Sequence, residues 1–143
     1  ADRIVVASIL RAGLAMHNGV LDFFDGAENC FVSAYRKYTD ETHFDIHVEY
    51  IAAPSLEGKT VILCDPMLAT GGSACDAIAR LKADGFKKIR MMALVASPQG
   101  LKTVCDTHPD VDIFVGALDD HLNDHGYIVP GLGDAGDRIF GTK

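Results

Sequence analysis

The chain has 143 residues and a formal net charge of −7, and 48% of its residues are hydrophobic. This size suits one domain with a sizeable core, so we expect a single domain over residues 1–143. The acidic balance argues against a general nucleic-acid or anionic-membrane surface, although a local basic pocket for a small polyanion stays open. No apolar stretch has membrane-spanning length, and the four cysteines have no spacing typical of a zinc site or a disulfide framework. These features predict a cytoplasmic protein with reduced thiols.

The first predicted element is an apolar strand over residues 3–7. It starts so close to the first residue, without an initiator Met, that we expect an amino-terminal segment to be missing. A helix follows, with apolar residues at Leu14, Val20, Leu21 and Phe24. Between them Arg11 lies just after the strand, where α/β folds bind ligands, and is a candidate anion ligand. A surface arginine at a helix start is an equal alternative.

A two-stranded β-arm is predicted over residues of about 33–52. Residues 29–35 suit one strand, and strict apolar–polar alternation over residues 44–50 indicates a half-exposed antiparallel partner. We expect a mobile polar tip between them. Arg36, at the root of the arm, is a candidate to close over a phosphate, whereas a solvated turn explains Lys37 better.

Residues 61–81 carry the strongest local signal. An apolar strand at 61–64 runs into Asp65 and the small-residue loop 69–73, after which apolar residues recur at helical spacing up to Leu81. The free N–H groups of such a loop and the helix dipole favour a phosphate, while Asp65 would accept hydrogen bonds from sugar hydroxyls. The alternative is a tight turn with Ser73 as an ordinary N-cap. The motif is neither Walker A nor a dinucleotide fingerprint.

Further strands are predicted at 88–95 and 111–115, with a helix from Pro98 to about Cys105 between them. This alternation predicts an α/β fold, a mainly parallel sheet flanked by helices on both faces. For His121 and His125, four residues apart, a polar loop is a better interpretation than half a metal site. The five glycines of residues 126–141 predict a loop without a regular element, suited to reading a flat base through backbone groups.

Three separated motifs resemble the uracil phosphoribosyltransferase family. They are residues 9–14 (ILRAGL), 65–73 (DPMLATGGS) and 126–137 (GYIVPGLGDAGD). The resemblance spans essentially the whole chain but lacks the helical amino-terminal segment of the family. It implies the type I phosphoribosyltransferase fold with a projecting two-stranded β-arm and a base-binding loop over about 119–143. Four residues depart from the usual family choice: Ser8 for proline, Ala15 for glycine, and Ser97 and Gln99, expected outside the site, for alanine and glutamate.

The resemblance implies transfer of a 5-phosphoribosyl group from 5-phosphoribosyl 1-pyrophosphate to uracil, giving UMP and pyrophosphate in pyrimidine salvage. The implied catalytic residues are Asp65, Arg36 and Asp134. The ribosyl substrate would contact these three residues and Arg11, together with Pro66, Met67, Leu68, Ala69, Thr70, Gly71, Gly72 and Ser73. Uracil would contact Ile128, Gly133, Asp134 and Ala135.

The same resemblance implies Mg²⁺ as the cofactor, carried by the substrate, with Asp134 its candidate protein ligand. A GTP effector and a homo-oligomer, dimer or higher, are further expectations, without nucleic acid or membrane as partners. A catalytically silent nucleotide sensor or regulator of the same fold is the main alternative, and a purine substrate is another. The presence of Arg11, Arg36, Asp65 and Asp134 favours an enzyme, and the carboxyl-terminal glycine loop favours uracil.

Overall fold

The computed structural model describes residues 3–38, 40, 44–55 and 58–142, except for the side chains at 34–38 and 44–50. The elements found in the described residues follow in chain order. They are β1 (Arg3–Leu10), α1 (Gly13–Leu21), β2 (Glu28–Tyr38), β3 (Phe44–Ala52), β4 (Lys59–Cys64), β5 (Met67–Leu68), α2 (Gly72–Ala83), β6 (Lys88–Ala96), α3 (Pro98–Thr107), β7 (Asp112–Leu118), β8 (His121–Leu122), β9 (Ile128–Val129) and α4 (Ala135–Phe140).

One sheet forms the centre of the fold. Its strand order is β3-β2-β1-β4-β6-β7, and the short β5 pairs with β6 beyond the end of β4. Every pair in this sheet is parallel except β2–β3, which is antiparallel. The predicted α/β fold with a parallel sheet and a two-stranded antiparallel arm is therefore confirmed. The predicted tip of the arm falls partly on residues 39 and 41–43, outside the described residues.

Helices cover the sheet on both faces, as predicted. On one face α2 buries Ala74, Ala77, Ile78 and Leu81 against alternate residues of the central strands. On the other face α1 packs Val20 against Val6 and Ile62. Since α1 is short, the apolar side chains of Leu94 and Phe114, on β6 and β7, stay about half exposed beyond it.

Two expectations about element boundaries are corrected. Helix α1 ends at Leu21, and Phe24 follows it in a turn. Residues 126–141, expected to lack regular structure, contain β9 and the short helix α4. The helix forms because the Asp134 carboxylate accepts a hydrogen bond from the N–H of Asp137 at 2.8 Å, which caps its first turn. Gly141, at φ 66°, then ends it in a left-handed conformation.

Helix α3 approaches the loop after β5 so closely that a side chain has no room. A Cβ atom on Gly100 would lie 2.4 Å from the carbonyl oxygen of Ala69 and 2.7 Å from that of Leu68. We expect Gly100→Ala to lower the free energy of unfolding by about 1–3 kcal/mol, because the helix or the loop must move. Urea unfolding followed by circular dichroism measures this change.

The control is Gly19→Ala, at an exposed position inside α1 where a Cβ atom meets nothing within 4 Å. This substitution should leave stability unchanged or raise it by up to about 1 kcal/mol, since alanine has the higher helix propensity. Equal effects of the two substitutions would contradict the close packing of α3 against the loop.

Candidate active site

A cleft opens where the parallel strands β1 and β4 end. Their register places Ser8 opposite Cys64, so the loops that follow the two strands leave the sheet side by side. The cleft has a volume of about 600 Å³. It is lined by Ile9, Leu10, Arg11, Ala12, Ser33, Asp65, Met67, Ala69, Ser73, Gly126, Tyr127, Ile128, Gly133, Asp134, Ala135, Gly136 and Asp137. The structure thus brings together residues from all three motifs of the sequence.

The loop after β5 has the geometry of an anion site. Gly71 precedes α2 with a left-handed backbone at φ 87°, so the helix begins at Gly72 and Ser73 is not its N-cap. The first N–H groups of an α-helix have no partner within the helix, and the helix dipole adds positive potential there. Thr70 and Ser73 line a small cavity of about 40 Å³ at this point. The alternative of an ordinary Ser73 N-cap is wrong, and the arrangement is suited to a phosphate.

Ser97, which was expected to lie outside the site, supports this loop through hydrogen bonds from the start of α3. The buried Ser97 hydroxyl donates a hydrogen bond to the Ala69 carbonyl at 2.6 Å and accepts one from the Gly100 N–H at 2.9 Å. Its backbone N–H also bonds to the Leu68 carbonyl at 2.9 Å. The serine at the start of α3 was a visible N-cap signal before Pro98, but its second partner, 28 residues earlier, was not.

Asp65 lies in the wall of the cleft in an environment that opposes its charge. Burial raises the pKa of its carboxyl group to about 7, and a hydrogen bond from the Met67 N–H, at 3.3 Å, offsets part of this rise. A carboxyl group that titrates near neutrality inside a cleft is typical of a functional residue. Substrate hydroxyls or a cation would compensate the ionised form.

Arg11 connects the β1–α1 loop with the carboxyl-terminal part of the chain. Its guanidinium donates hydrogen bonds to the Asp137 carboxylate at 3.1 Å and to the Thr142 hydroxyl at 3.0 Å. The Thr142 hydroxyl also donates to Asp137. Because the Arg11 side chain is 54% exposed, its other N–H groups can reach a ligand in the cleft. Thr142 was not among the predicted site residues.

The remaining predicted residues occupy varied positions. Pro66 is buried, and its carbonyl accepts hydrogen bonds from the N–H groups of Leu94 and Val95 in β6. Leu68 is also buried, so that these two residues support the loop from the interior. Arg36 lies in β2 opposite Ile46, and its side chain is outside the described residues.

No metal site made by the protein alone is found within the described residues. No group of three His, Cys, Asp or Glu side chains among them is arranged to hold a metal ion. His121 lies in β8 and contacts Asp120, while His125 lies in the turn between β8 and β9. All four cysteines are free thiols. Among the residues that the structure describes, no helix is long and apolar enough to cross a membrane.

A comparison with protein-family models decides the family. The model of uracil phosphoribosyltransferases matches residues 1–142. The chain belongs to this family. The resemblance stated from the three motifs is therefore confirmed.

Relatives of known name agree with this assignment. A uracil phosphoribosyltransferase of Clostridium novyi is 52% identical over 143 residues, which cover 99% of this chain and 66% of the relative. One from Porphyromonas gingivalis is 49% identical over 144 residues, covering 99% of this chain and 67% of the relative. The chain thus spans about two thirds of the length of these relatives.

Solved structures support the fold. A protein from Aquifex aeolicus matches with a TM-score of 0.87 and 41% identity, over 97% of this chain and 65% of that one. An adenine phosphoribosyltransferase from Thermoanaerobacter pseudethanolicus matches with a TM-score of 0.64 and 19% identity, over 82% of this chain and 71% of that one. The second likeness shows the shared phosphoribosyltransferase fold alone.

The raised pKa of Asp65 has a consequence for stability. Its native pKa of about 7 exceeds the usual value, so the native state holds a proton that the unfolded state has lost between about pH 4 and 7. The destabilising contribution of Asp65 therefore grows as the pH rises through this range. Asp65→Asn, which keeps an oxygen for the Met67 N–H, should stabilise the protein at pH 8 by as much as about 4 kcal/mol and have little effect at pH 4.

Urea unfolding of wild type and variant at several pH values measures this difference. Asp110→Asn is the control of opposite sign, because a hydrogen bond from Lys82 lowers the pKa of Asp110. Loss of the Asp110 charge should destabilise the protein at neutral pH. The effect should become smaller as the pH falls through the pKa of the Asp110 carboxyl group. An Asp65→Asn effect that is the same at pH 4 and pH 8 would contradict the burial of this charge.

Proposed function

We propose that this chain transfers the 5-phosphoribosyl group from 5-phosphoribosyl 1-pyrophosphate to uracil, giving UMP and pyrophosphate. The observation that supports it is the single cleft in which the phosphate-type loop, Asp65, Arg11 and the carboxyl-terminal glycine loop converge. The names of the relatives agree with this reaction. Because the chain spans about two thirds of those relatives, the activity is a proposal to be tested on this chain itself.

The proposed binding mode assigns each part of the substrate to a different part of the cleft. The 5′-phosphate lies on the N–H groups and hydroxyls of residues 69–73, and Asp65 accepts hydrogen bonds from the ribose hydroxyls. Arg11 holds the pyrophosphate, and Arg36 closes over it from the root of the arm. Uracil lies against Ile128 and residues 133–135, where glycines allow the backbone to approach a flat ring.

The reaction needs charge stabilisation and alignment more than a nucleophilic side chain. The bond between the anomeric carbon and the pyrophosphate oxygen breaks, the bond to N1 of uracil forms, and the N1 proton passes to the departing pyrophosphate or to water. Positive charge builds on the ribose and negative charge on the pyrophosphate. Arg11 stabilises the leaving group, and the loops on either side hold the two substrates in line.

The residues of the cleft fit Mg²⁺ bound through the substrate. Asp134 and Asp137, joined by Asp65 when it is ionised, give the cleft more negative than positive charge beside Arg11, which opposes a polyphosphate unless a cation accompanies it. One or two carboxylates together with substrate phosphates form the usual environment of Mg²⁺. Asp134 is the proposed protein ligand. When bound, the ion would add positive charge beside the departing pyrophosphate.

The other expectations about partners stay predictions. They are a GTP effector, a homo-oligomer of two or more chains, and a cytoplasmic location. The proposal is a small-molecule enzyme without nucleic-acid or membrane partners, and the net charge of −7 agrees with it.

Formation of UMP from uracil, 5-phosphoribosyl 1-pyrophosphate and Mg²⁺ by this chain is the direct test. We expect UMP with uracil and no nucleotide product when adenine replaces it. Saturable binding of the ribosyl substrate without any product would favour the sensor or regulator. Product from adenine in place of uracil would overturn the assignment of the base.

Asp134 offers a matched pair of variants, because its carboxylate both caps α4 and faces the cleft. Asp134→Asn keeps an oxygen for the Asp137 N–H and removes the charge, whereas Asp134→Ala removes both. If the charge takes part in the reaction, kcat/KM should fall by about 10²–10³ in both variants. An asparagine variant with wild-type kcat/KM would show that Asp134 serves only as a helix cap.

A further inference from the structure

A chain of hydrogen bonds lies behind the Arg11 loop, on the α1 side of the sheet. The Ser8 hydroxyl is 2.6 Å from Nδ1 of His17, and Nε2 of His17 is 2.7 Å from the side-chain oxygen of Asn29. The His17 ring also stacks on Phe31, with 4.8 Å between ring centroids. These contacts join β1, α1 and β2. We call Ser8, His17 and Asn29 the hydrogen-bond chain.

The two hydrogen-bond partners of His17 fit one tautomer of its neutral ring. The Asn29 oxygen only accepts hydrogen bonds, so its orientation assigns the ring hydrogen of neutral His17 to Nε2. Nδ1 is then an acceptor, and the Ser8 hydroxyl donates to it. In this tautomer both ring nitrogens have a hydrogen-bond partner, as a polar side chain that is 2% exposed requires.

The order serine, histidine and amide resembles a nucleophile with its base, but the location excludes that role. The Ser8 side chain is fully buried, and none of the three residues lines the cleft as the structure describes it. A nucleophile must reach a reacting atom of a substrate. The hydrogen-bond chain therefore acts on structure and not on a bond of the substrate.

The hydrogen-bond chain fixes both ends of the loop that carries Arg11. Ser8 precedes the loop in β1, and His17 follows it one turn into α1. Gly13, at the start of α1, packs closely against the ends of β1 and β4. A Cβ atom on Gly13 would lie 3.1 Å from Cβ of Ser8 and 3.0 Å from the Cys64 carbonyl oxygen. The Leu14 N–H then bonds to the Arg11 carbonyl at 3.1 Å. The loop backbone is thus held between two anchored ends.

We propose that Ser8 and His17 are positioning residues for Arg11, and that their hydrogen bond sets the affinity for the pyrophosphate part of the substrate. The inference rests on the proposed function, because it assigns a role in binding the ribosyl substrate. The Arg11 side chain is about half exposed, and its guanidinium is held by Asp137 and Thr142, so the loop backbone fixes where the side chain begins relative to these two partners. Misplacing a pre-organised ligand group weakens binding without a change in the residues that touch the ligand.

The first test is Ser8→Ala, which removes the bond between β1 and α1 with little change in volume. We expect the Kd for 5-phosphoribosyl 1-pyrophosphate with Mg²⁺, measured by calorimetry, to rise about tenfold, and kcat to change less than about threefold. Val20→Ala is the control, since Val20 packs α1 on the same sheet face without a part in the hydrogen-bond chain. It should lower the melting temperature but leave the Kd within about twofold.

Two variants of His17 separate the two bonds. The side-chain oxygen of asparagine can take the place of Nδ1 of histidine. His17→Asn therefore keeps an acceptor for the Ser8 hydroxyl and loses the hydrogen bond to Asn29. The side-chain amide nitrogen of glutamine can take the place of Nε2. His17→Gln therefore keeps the hydrogen bond to Asn29 and loses the one with Ser8. If the hydrogen bond to Ser8 positions the loop, His17→Gln should raise the Kd about as much as Ser8→Ala does. The Kd of His17→Asn should stay within about threefold of the wild-type value.

Hydrogen exchange gives a readout that needs no substrate. In Ser8→Ala the Leu14 amide should exchange at least about tenfold faster, with the Ile62 and Leu63 amides of β4 changed much less. Uniformly faster exchange, or a Kd equal to that of wild type, would overturn the inference and leave the proposed function intact. A wild-type chain that neither binds the ribosyl substrate nor forms UMP would overturn the proposed function and the binding role together.

Discussion

The parallel pairing of β1 with β4 determines where the candidate ligand groups lie. Both strands are buried on both faces, as the burial of Val5, Val6, Val61 and Ile62 shows. Their register places Ser8 opposite Cys64, the last residue of β4, and β1 continues only to Leu10, so the Arg11 loop and Asp65 leave the sheet as neighbours. Strand β5 then extends the line of β4 along β6, and α2 begins at the rim of the same cleft. The location of the site is thus a consequence of strand order.

The charged side chains of Asp65 and Arg11 in the cleft lack strong partners among the described residues, and a bound ligand could stabilise both. Asp65 is held where burial raises its pKa, which costs stability whenever the group is ionised. Arg11 meets the Asp137 carboxylate in a partly exposed ion pair, whose contribution to stability is modest. A substrate that brings hydroxyl groups and a cation to Asp65, and negative oxygens to Arg11, compensates both. Natural sites commonly retain such locally unfavourable groups because function requires them.

Local patterns in the sequence predicted most of the regular structure. The apolar run at 61–64 and the spacing of Ala74, Ala77, Ile78 and Leu81 correspond to β4 and α2, since burial on a sheet and on a helix face imposes these periods. The Arg11 loop and Asp65 also lie after strand ends, as predicted, and their role as ligand groups stays a prediction from the usual place of such groups in α/β folds. Helix α4 was missed, since glycine-rich composition outweighed the capping signal of Asp134 and Asp137.

What the sequence could not show are the contacts that join distant segments around these loops. Ser97 bonds to a loop 28 residues earlier, and Arg11 bonds to Thr142 across 131 residues. Neither partner is implied by local periodicity, because each depends on how helices and the carboxyl-terminal part of the chain dock on the sheet. Ser8 and Ser97 looked like minor departures from the family pattern, yet both are buried and hydrogen-bonded beside a candidate ligand loop. A buried hydroxyl needs a partner, so each serine fixes a specific arrangement where an apolar residue would only fill space.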